Sequence, residues 1–178
     1  MIRTVLIVGG ARSGKSGFAE RLARQSGLPR LYVATGEARD AEMAARIARH
    51  RADRGEGWTT LEAPLALAET IGREAAADRL VLVDCLTLWL SNVLLVGRDV
   101  AAECAALVEA VAAAAGPLVL VSNEVGHGIV PETPLGRAFR DAQGRLNQDV
   151  ARAASDVFLV AAGCAVRLKP APAAEVAW

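Results

Sequence analysis

The octapeptide Gly9-Gly10-Ala11-Arg12-Ser13-Gly14-Lys15-Ser16 fits the pattern G-x-x-x-x-G-K-[ST]. Its neighbours supply the setting that the pattern requires. The apolar run Thr4–Val8 predicts a buried strand before it, and Phe18, Ala19 and Leu22 recur at helical spacing after it. A strand, a glycine-rich loop and a helix in this order make a phosphate-binding P-loop. Its glycines let the backbone bend until several N–H groups converge on phosphate oxygens. The helix beginning near Lys15 adds its positive dipole end. Lys15 supplies a point charge to the outer phosphates, and Ser16 offers a hydroxyl to Mg2+. Only one other lysine exists in the chain, so a chance glycine-rich turn explains the match poorly.

The 178-residue chain fits one domain over residues 1–169, long enough to bury roughly 70% of its unfolded surface. Lys plus Arg and Asp plus Glu number 20 each, and this balance gives no support for nucleic-acid binding through bulk charge. No apolar run reaches the ~18 residues that read as a membrane span. Cys85, Cys104 and Cys164 are far apart and odd in number, which argues against a disulfide framework and suits a reducing cytoplasm.

Strands are predicted at Leu31–Ala34, Trp58–Leu61, Leu80–Val83 and Leu118–Val121. Helices are predicted at Ala41–Arg54, with Asp40 as N-cap and Met43, Ile47 and Ala48 as a thin apolar stripe; at Pro64–Ala77, with Pro64 in the first turn; and at Asp99–Ala115. Leu86–Leu95 is strongly apolar. Leu135, Ala138, Phe139, Ala142, Leu146 and Val150 mark one face of a long helix, despite Gly144, which weakens it by about 1 kcal/mol relative to Ala. Val157–Val160 and Ala165–Leu168 predict a closing hairpin around Gly163. The segment Pro170–Trp178 reads as a flexible tail. This alternation predicts an α/β fold, a mostly parallel sheet with helices about it and an antiparallel edge near the C-terminus.

Ligands of such sheets gather at the carboxyl ends of the strands. Asp84 follows four apolar residues, as a Walker B carboxylate does, and can hold Mg2+ directly or through water. Glu124 ends a second buried strand in the same manner. Either carboxylate could instead cap a neighbouring helix. His50 sits among Arg46, Arg49, Arg51 and Arg54. It is either a surface helix residue or a nucleophile, whose neutral imidazole would attack an α-phosphorus to form a phosphoramidate. His127 reads as a loop or substrate-side residue.

Taken together these residues resemble the bifunctional adenosylcobinamide kinase / adenosylcobinamide-phosphate guanylyltransferase family of cobalamin biosynthesis. The matching pieces are GGARSGKS, Tyr32-Val-Ala-Thr35, Asp40-Ala-Glu-Met-Ala-Ala-Arg-Ile47, His50-x3-Arg54-x3-Trp58, Asp84-Cys-Leu-Thr87, Asn123-Glu-Val-Gly126, Gly128-Ile-Val-Pro131, Phe139-Arg-Asp141 and Gly144-Arg-Leu-Asn147. They run in order from about residue 4 to 169. The resemblance implies a RecA-like P-loop NTPase fold, a trimer, and two reactions. A nucleoside triphosphate, GTP or ATP, phosphorylates adenosylcobinamide. GTP then donates GMP through a histidine to adenosylcobinamide phosphate, releasing pyrophosphate. By position it implies that Gly9 to Ser16 grip phosphates, that Ala34, Thr35, Gly36, Arg51, Ala52, Asp53, Arg54, Glu62 and Asp84 line the guanine-nucleotide site, and that His50 carries GMP. Ser16, Asp84 and Glu124 are the candidate Mg2+ donors. Some relatives have paired histidines where this chain has Arg49-His50, a proline where it has Gly55, and Glu where it has Asp84. Two rivals use the same loop: a P-loop kinase for another small hydroxylated substrate, and a RecA-like nucleotide-driven binding module.

Overall fold

A computed structural model describes residues 3–171 of the chain. The expected tail lies, beyond residue 171, outside the described residues. The strands are β1 (Thr4–Gly9), β2 (Arg30–Ala34), β3 (Trp58–Glu62), β4 (Leu80–Asp84), β5 (Leu118–Asn123), β6 (Asp156–Ala161) and β7 (Cys164–Lys169). They form one sheet in the order β3-β2-β4-β5-β1-β6-β7. All neighbours pair in parallel except β6 and β7. The predicted antiparallel edge is therefore present.

Each central strand is an apolar run because both its faces are covered. Helix α1 (Lys15–Gln25) packs Ala19 and Ala23 onto one face, against Ile7, Tyr32, Leu82, Val119, Val121 and Val160. The other face carries α3 (Leu67–Glu74), α4 (Leu86–Leu95), α5 (Val100–Ala112) and α6 (Pro134–Ala153). There Leu6, Val33, Val83 and Leu120 meet Ile71, Trp89, Leu107 and Val150 in a single core. The apolar run Leu86–Leu95 is thus α4, buried against the sheet.

Helix α2 (Ala41–Arg54) has the predicted bounds, and Asp40 caps it by accepting from the Met43 N–H at 2.7 Å. Its stripe is thinner than expected, with Met43 and Ile47 half-buried and Ala48 exposed. The third helix is shorter than predicted. Pro64 lies in the preceding loop, where its carbonyl accepts from the Asn92 side chain at 3.1 Å, and the helix starts only at Leu67. At the other end Ala75 turns extended and buries its methyl. In α6 the apolar face meets the core from Phe139 onward; Leu135 and Ala138 are exposed.

The second lysine of the chain terminates α6. Lys169 Nζ donates to the carbonyls of Ala151, Arg152 and Ala154 at 2.9, 3.0 and 2.6 Å. It satisfies orphan carbonyls and opposes the negative dipole end. Lys169→Ala should cost about 1–2 kcal/mol. A thermal melt should show Tm lower by about 2–8 °C for a chain of this size.

Candidate functional site

Strand β1 runs mid-sheet between β5 and β6, so its carboxyl end delivers the loop to the rim. At Gly9 a Cβ would collide with the Val160 carbonyl oxygen of β6, so the loop leaves the sheet where only glycine fits. Gly14 is the N-cap of α1 with φ 99°, a left-handed conformation that glycine adopts without strain. It has no capping side chain, and the first amides of α1 open into the loop. Lys15 is 6% exposed, and its Nζ donates to Gly10 O at 2.5 Å across the loop. Ser16 is half-buried in the first turn of α1, while Gly10, Ala11 and Arg12 are exposed. The turn between β6 and β7 braces the loop from outside: Gly163 N–H donates to Ser13 O at 2.8 Å. The hairpin was legible in the sequence, but this support was not.

A second group of predicted residues is gathered by strand register. Ala34 pairs with Glu62 on one side and Asp84 on the other, so the three form one row across β3, β2 and β4. In-register residues of parallel strands project to the same face, here the face of α1. Asp84 Oδ2 accepts from Tyr32 OH at 3.1 Å. Burial and the Asp84 charge hold Tyr32 well above its usual range, so it remains a donor. Burial, with the same charge, pushes the Cys85 thiol up to about 11, which leaves no thiolate for nucleophilic use. Strand β5 separates β4 from β1. The Asp84 carboxylate therefore stands two strands away from the loop's own strand.

Arg54 joins this group from α2. It is 5% exposed, with its guanidinium carbon 3.6 Å from the Tyr32 ring centroid and 5.9 Å from that of Trp58. Its Nη2 donates to Thr60 Oγ1 at 3.0 Å, and its carbonyl accepts from Arg24 at 2.8 Å. Among the described residues, Arg54 Nε and Trp58 Nε1 are buried donors without a hydrogen-bond partner. Arg51, Ala52 and Asp53 are exposed on the same helix. His50 is half-buried and lies one turn before Arg54, on the same side of α2. Helix α2 runs back from the carboxyl rim to the start of β3. Four residues of helix rise about 6 Å, and two residues of strand about 6.6 Å. His50 therefore stands about 6 Å nearer the carboxyl rim than Arg54. Ile47, one turn earlier, brings its Cδ1 toward Gly36 at that rim.

Thr35 is fully buried and its hydroxyl is committed. Oγ1 accepts from Cys85 N–H at 2.8 Å and donates to Cys85 O at 2.7 Å. Glu62 is exposed. Glu124 follows β5 rather than ending it, and its Oε1 accepts from Gly126 N–H at 2.8 Å, tightening the loop in which His127 is exposed. Among the described residues no three His, Cys, Asp or Glu side chains form a metal cage. The oxygens of Ser16 and Asp84 are nonetheless the hard donors that suit Mg2+, which prefers to keep waters and phosphates beside one or two protein ligands.

Burial of the Glu20 carboxyl on α1 raises its pKa above the ordinary 4.5; Arg24 and Arg54 oppose the rise and Asp84 adds to it. A raised native value means that this group's contribution is fully present below 4.5 and is lost as pH climbs through the raised value. Glu20→Gln should therefore raise Tm at neutral pH and leave it unchanged below 4.5, a difference that melts at the two pH values resolve.

The model of the family described as cobinamide kinase / cobinamide phosphate guanyltransferase matches residues 5–168. The chain belongs to this family. Its members include the bifunctional adenosylcobalamin biosynthesis protein CobP of Pseudomonas aeruginosa, 50% identical over 169 residues that cover 94% of this chain and 98% of that protein. The CobU protein of Escherichia coli is 42% identical over 180 residues, covering 93% and 99%. Membership makes the chain a transferase that joins a kinase and a guanylyltransferase in one protein. Solved structures extend the likeness in fold alone. The flagellar accessory protein FlaH of Methanocaldococcus jannaschii aligns with TM-score 0.50 at 13% identity, covering 94% of this chain and 78% of that one. The RadB recombinase aligns at 0.50 and 14%, covering 88% and 73%. The family fold is thus RecA-like, as expected. No helix among the described residues is long and apolar enough to cross a membrane.

Missed by sequence reasoning were Tyr32 as the hydrogen-bond donor to Asp84, the Thr35–Cys85 clamp, and Asn92. The last had a visible signal: an amide within a mostly apolar helix.

Proposed function

We propose that this chain phosphorylates the aminopropanol hydroxyl of adenosylcobinamide and then transfers GMP from GTP to the resulting phosphate through an adduct on His50. The observation that supports this reading is a P-loop and the Ala34–Glu62–Asp84 row on the same carboxyl rim of one sheet, with His50 on α2, the helix that leads from that rim to β3.

In the first reaction the loop amides, the N-terminus of α1 and Lys15 hold the phosphates of GTP or ATP, and stabilise charge as the γ-phosphoryl moves to the corrinoid hydroxyl. Bound Mg2+ would neutralise phosphate charge. Ser16 and Asp84 would hold it, with Glu124 as a further oxygen donor. In the second reaction a neutral His50 nitrogen attacks the α-phosphorus of GTP. A P–N bond forms, the bond to the β-phosphate bridging oxygen breaks, and pyrophosphate leaves. A phosphate oxygen of the corrinoid then attacks the same phosphorus and the P–N bond breaks. The products are the GDP-linked corrinoid and free imidazole. Ala34 to Gly36, Arg51 to Arg54 and Glu62 would hold the guanine nucleotide. The family resemblance implies a trimer, and the three widely spaced cysteines suit a reducing cytoplasm.

Incubation with adenosylcobinamide, GTP and Mg2+ tests the reading. Chromatography should show the phosphorylated corrinoid and then the GDP-linked product, with one pyrophosphate released per GDP-linked molecule. GTP turnover that ignores the corrinoid would point instead to a nucleotide-driven module.

A further inference from the structure

We infer that Asn92 of α4 is a positioning residue that sets the spacing of the guanine-nucleotide site, by tying the loop after β2 to the loop after β3. The inference rests on the reading of Ala34 to Gly36 and Glu62 as nucleotide contacts.

Asn92 is 6% exposed. Its Nδ2 donates to Thr35 O at 2.8 Å and to Pro64 O at 3.1 Å. Its Oδ1 accepts from Arg39 Nη2 at 3.3 Å. The two carbonyls lie just past the end of regular pairing, and Arg39 precedes the N-cap of α2. Strand β2 ends at Ala34 and β3 at Glu62, and a last backbone bond runs from Ala63 N–H to Ala34 O at 2.8 Å. Beyond it one side-chain amide spends both its N–H groups on the two departing loops. The bond from Arg39 determines which end of the amide is the oxygen.

The amide therefore holds three segments at once. They are the loop bearing Ala34 to Gly36, the loop that follows Glu62, and the residues leading into α2, which carries His50. Thr35 passes the constraint on, because its hydroxyl clamps both backbone groups of Cys85, the residue after Asp84. A buried amide so used has no apolar substitute. Without it two carbonyls lose their donor and the loops separate.

The test measures GTP and ATP affinity by calorimetry in wild type, Asn92→Ala, Arg39→Ala and Lys169→Ala. Lys169→Ala serves as the destabilised comparator, since Lys169 caps the far end of α6. The wild type should prefer GTP. Asn92→Ala should lower the GTP-to-ATP affinity ratio about tenfold, and Arg39→Ala about two- to threefold. Lys169→Ala should lower Tm and leave the ratio unchanged. Arg39 is exposed, so its variant carries the test if Asn92→Ala fails to fold. A wild type with no preference for GTP would refute the nucleotide-site reading itself. A wild type that prefers GTP, with the ratio kept in both loop variants or with both affinities falling equally, would overturn the role of Asn92 alone.

Discussion

Lys15→Ala is expected to lower both transferase activities by about 10²–10³, the cost of losing one preorganised donor to developing phosphate charge. The side chain is buried and spans the loop to Gly10 O, which sets its ammonium inside the loop proposed to hold the phosphates. Both reactions draw on nucleotide phosphates, and a single substitution should depress them together. Steady-state assays of corrinoid phosphorylation and of pyrophosphate release check this, with circular dichroism confirming an intact fold. Unchanged kinase turnover would remove Lys15 from the phosphate site.

His50→Ala should separate the two reactions. Guanylyl transfer loses its nucleophile and should fall on the order of 10⁴ or more. Phosphorylation needs no imidazole and should remain within about twofold of wild type. The phosphorylated corrinoid would then accumulate. The anchoring of α2 permits this separation. Arg54, stacked on Tyr32 and bonded to Thr60, holds the end of the helix without help from His50. Loss of both activities would mean that His50 supports α2 rather than reacting.

The parts legible in the sequence are those whose cause is local. Thr4–Val8, Gly14, Lys15 and the Asp40 cap act within a few residues, whereas the alignment of Ala34 with Glu62 and Asp84 needs the strand order that only the structure supplies. What was hidden connects distant segments. Asn92 reaches Thr35 and Pro64, Thr35 reaches Cys85, and Gly163 reaches Ser13. A similar knot lies at the end of β5. Ser122 Oγ donates to Asn147 Oδ1 at 2.6 Å, Gln143 Nε2 donates to Ser122 Oγ at 3.0 Å, and Asn147 Nδ2 donates to Asn123 O at 3.0 Å. Gln143 and Asn147 stand on the inward face of α6, where helical period calls for apolar residues. Polar side chains in such places mark long-range bonds, but period alone cannot name their partners. The third helix was overextended for a related reason, since the bond from Asn92 to the Pro64 carbonyl holds that residue outside the helix.

The covalent route is tested most directly by incubating the protein with GTP labelled at the α-phosphorus and mapping the label. One label per chain on His50, acid-labile and base-stable, is the expected result. Label retained at the same rate by His50→Ala, or an adduct stable to acid, would contradict a phosphoramidate on this residue.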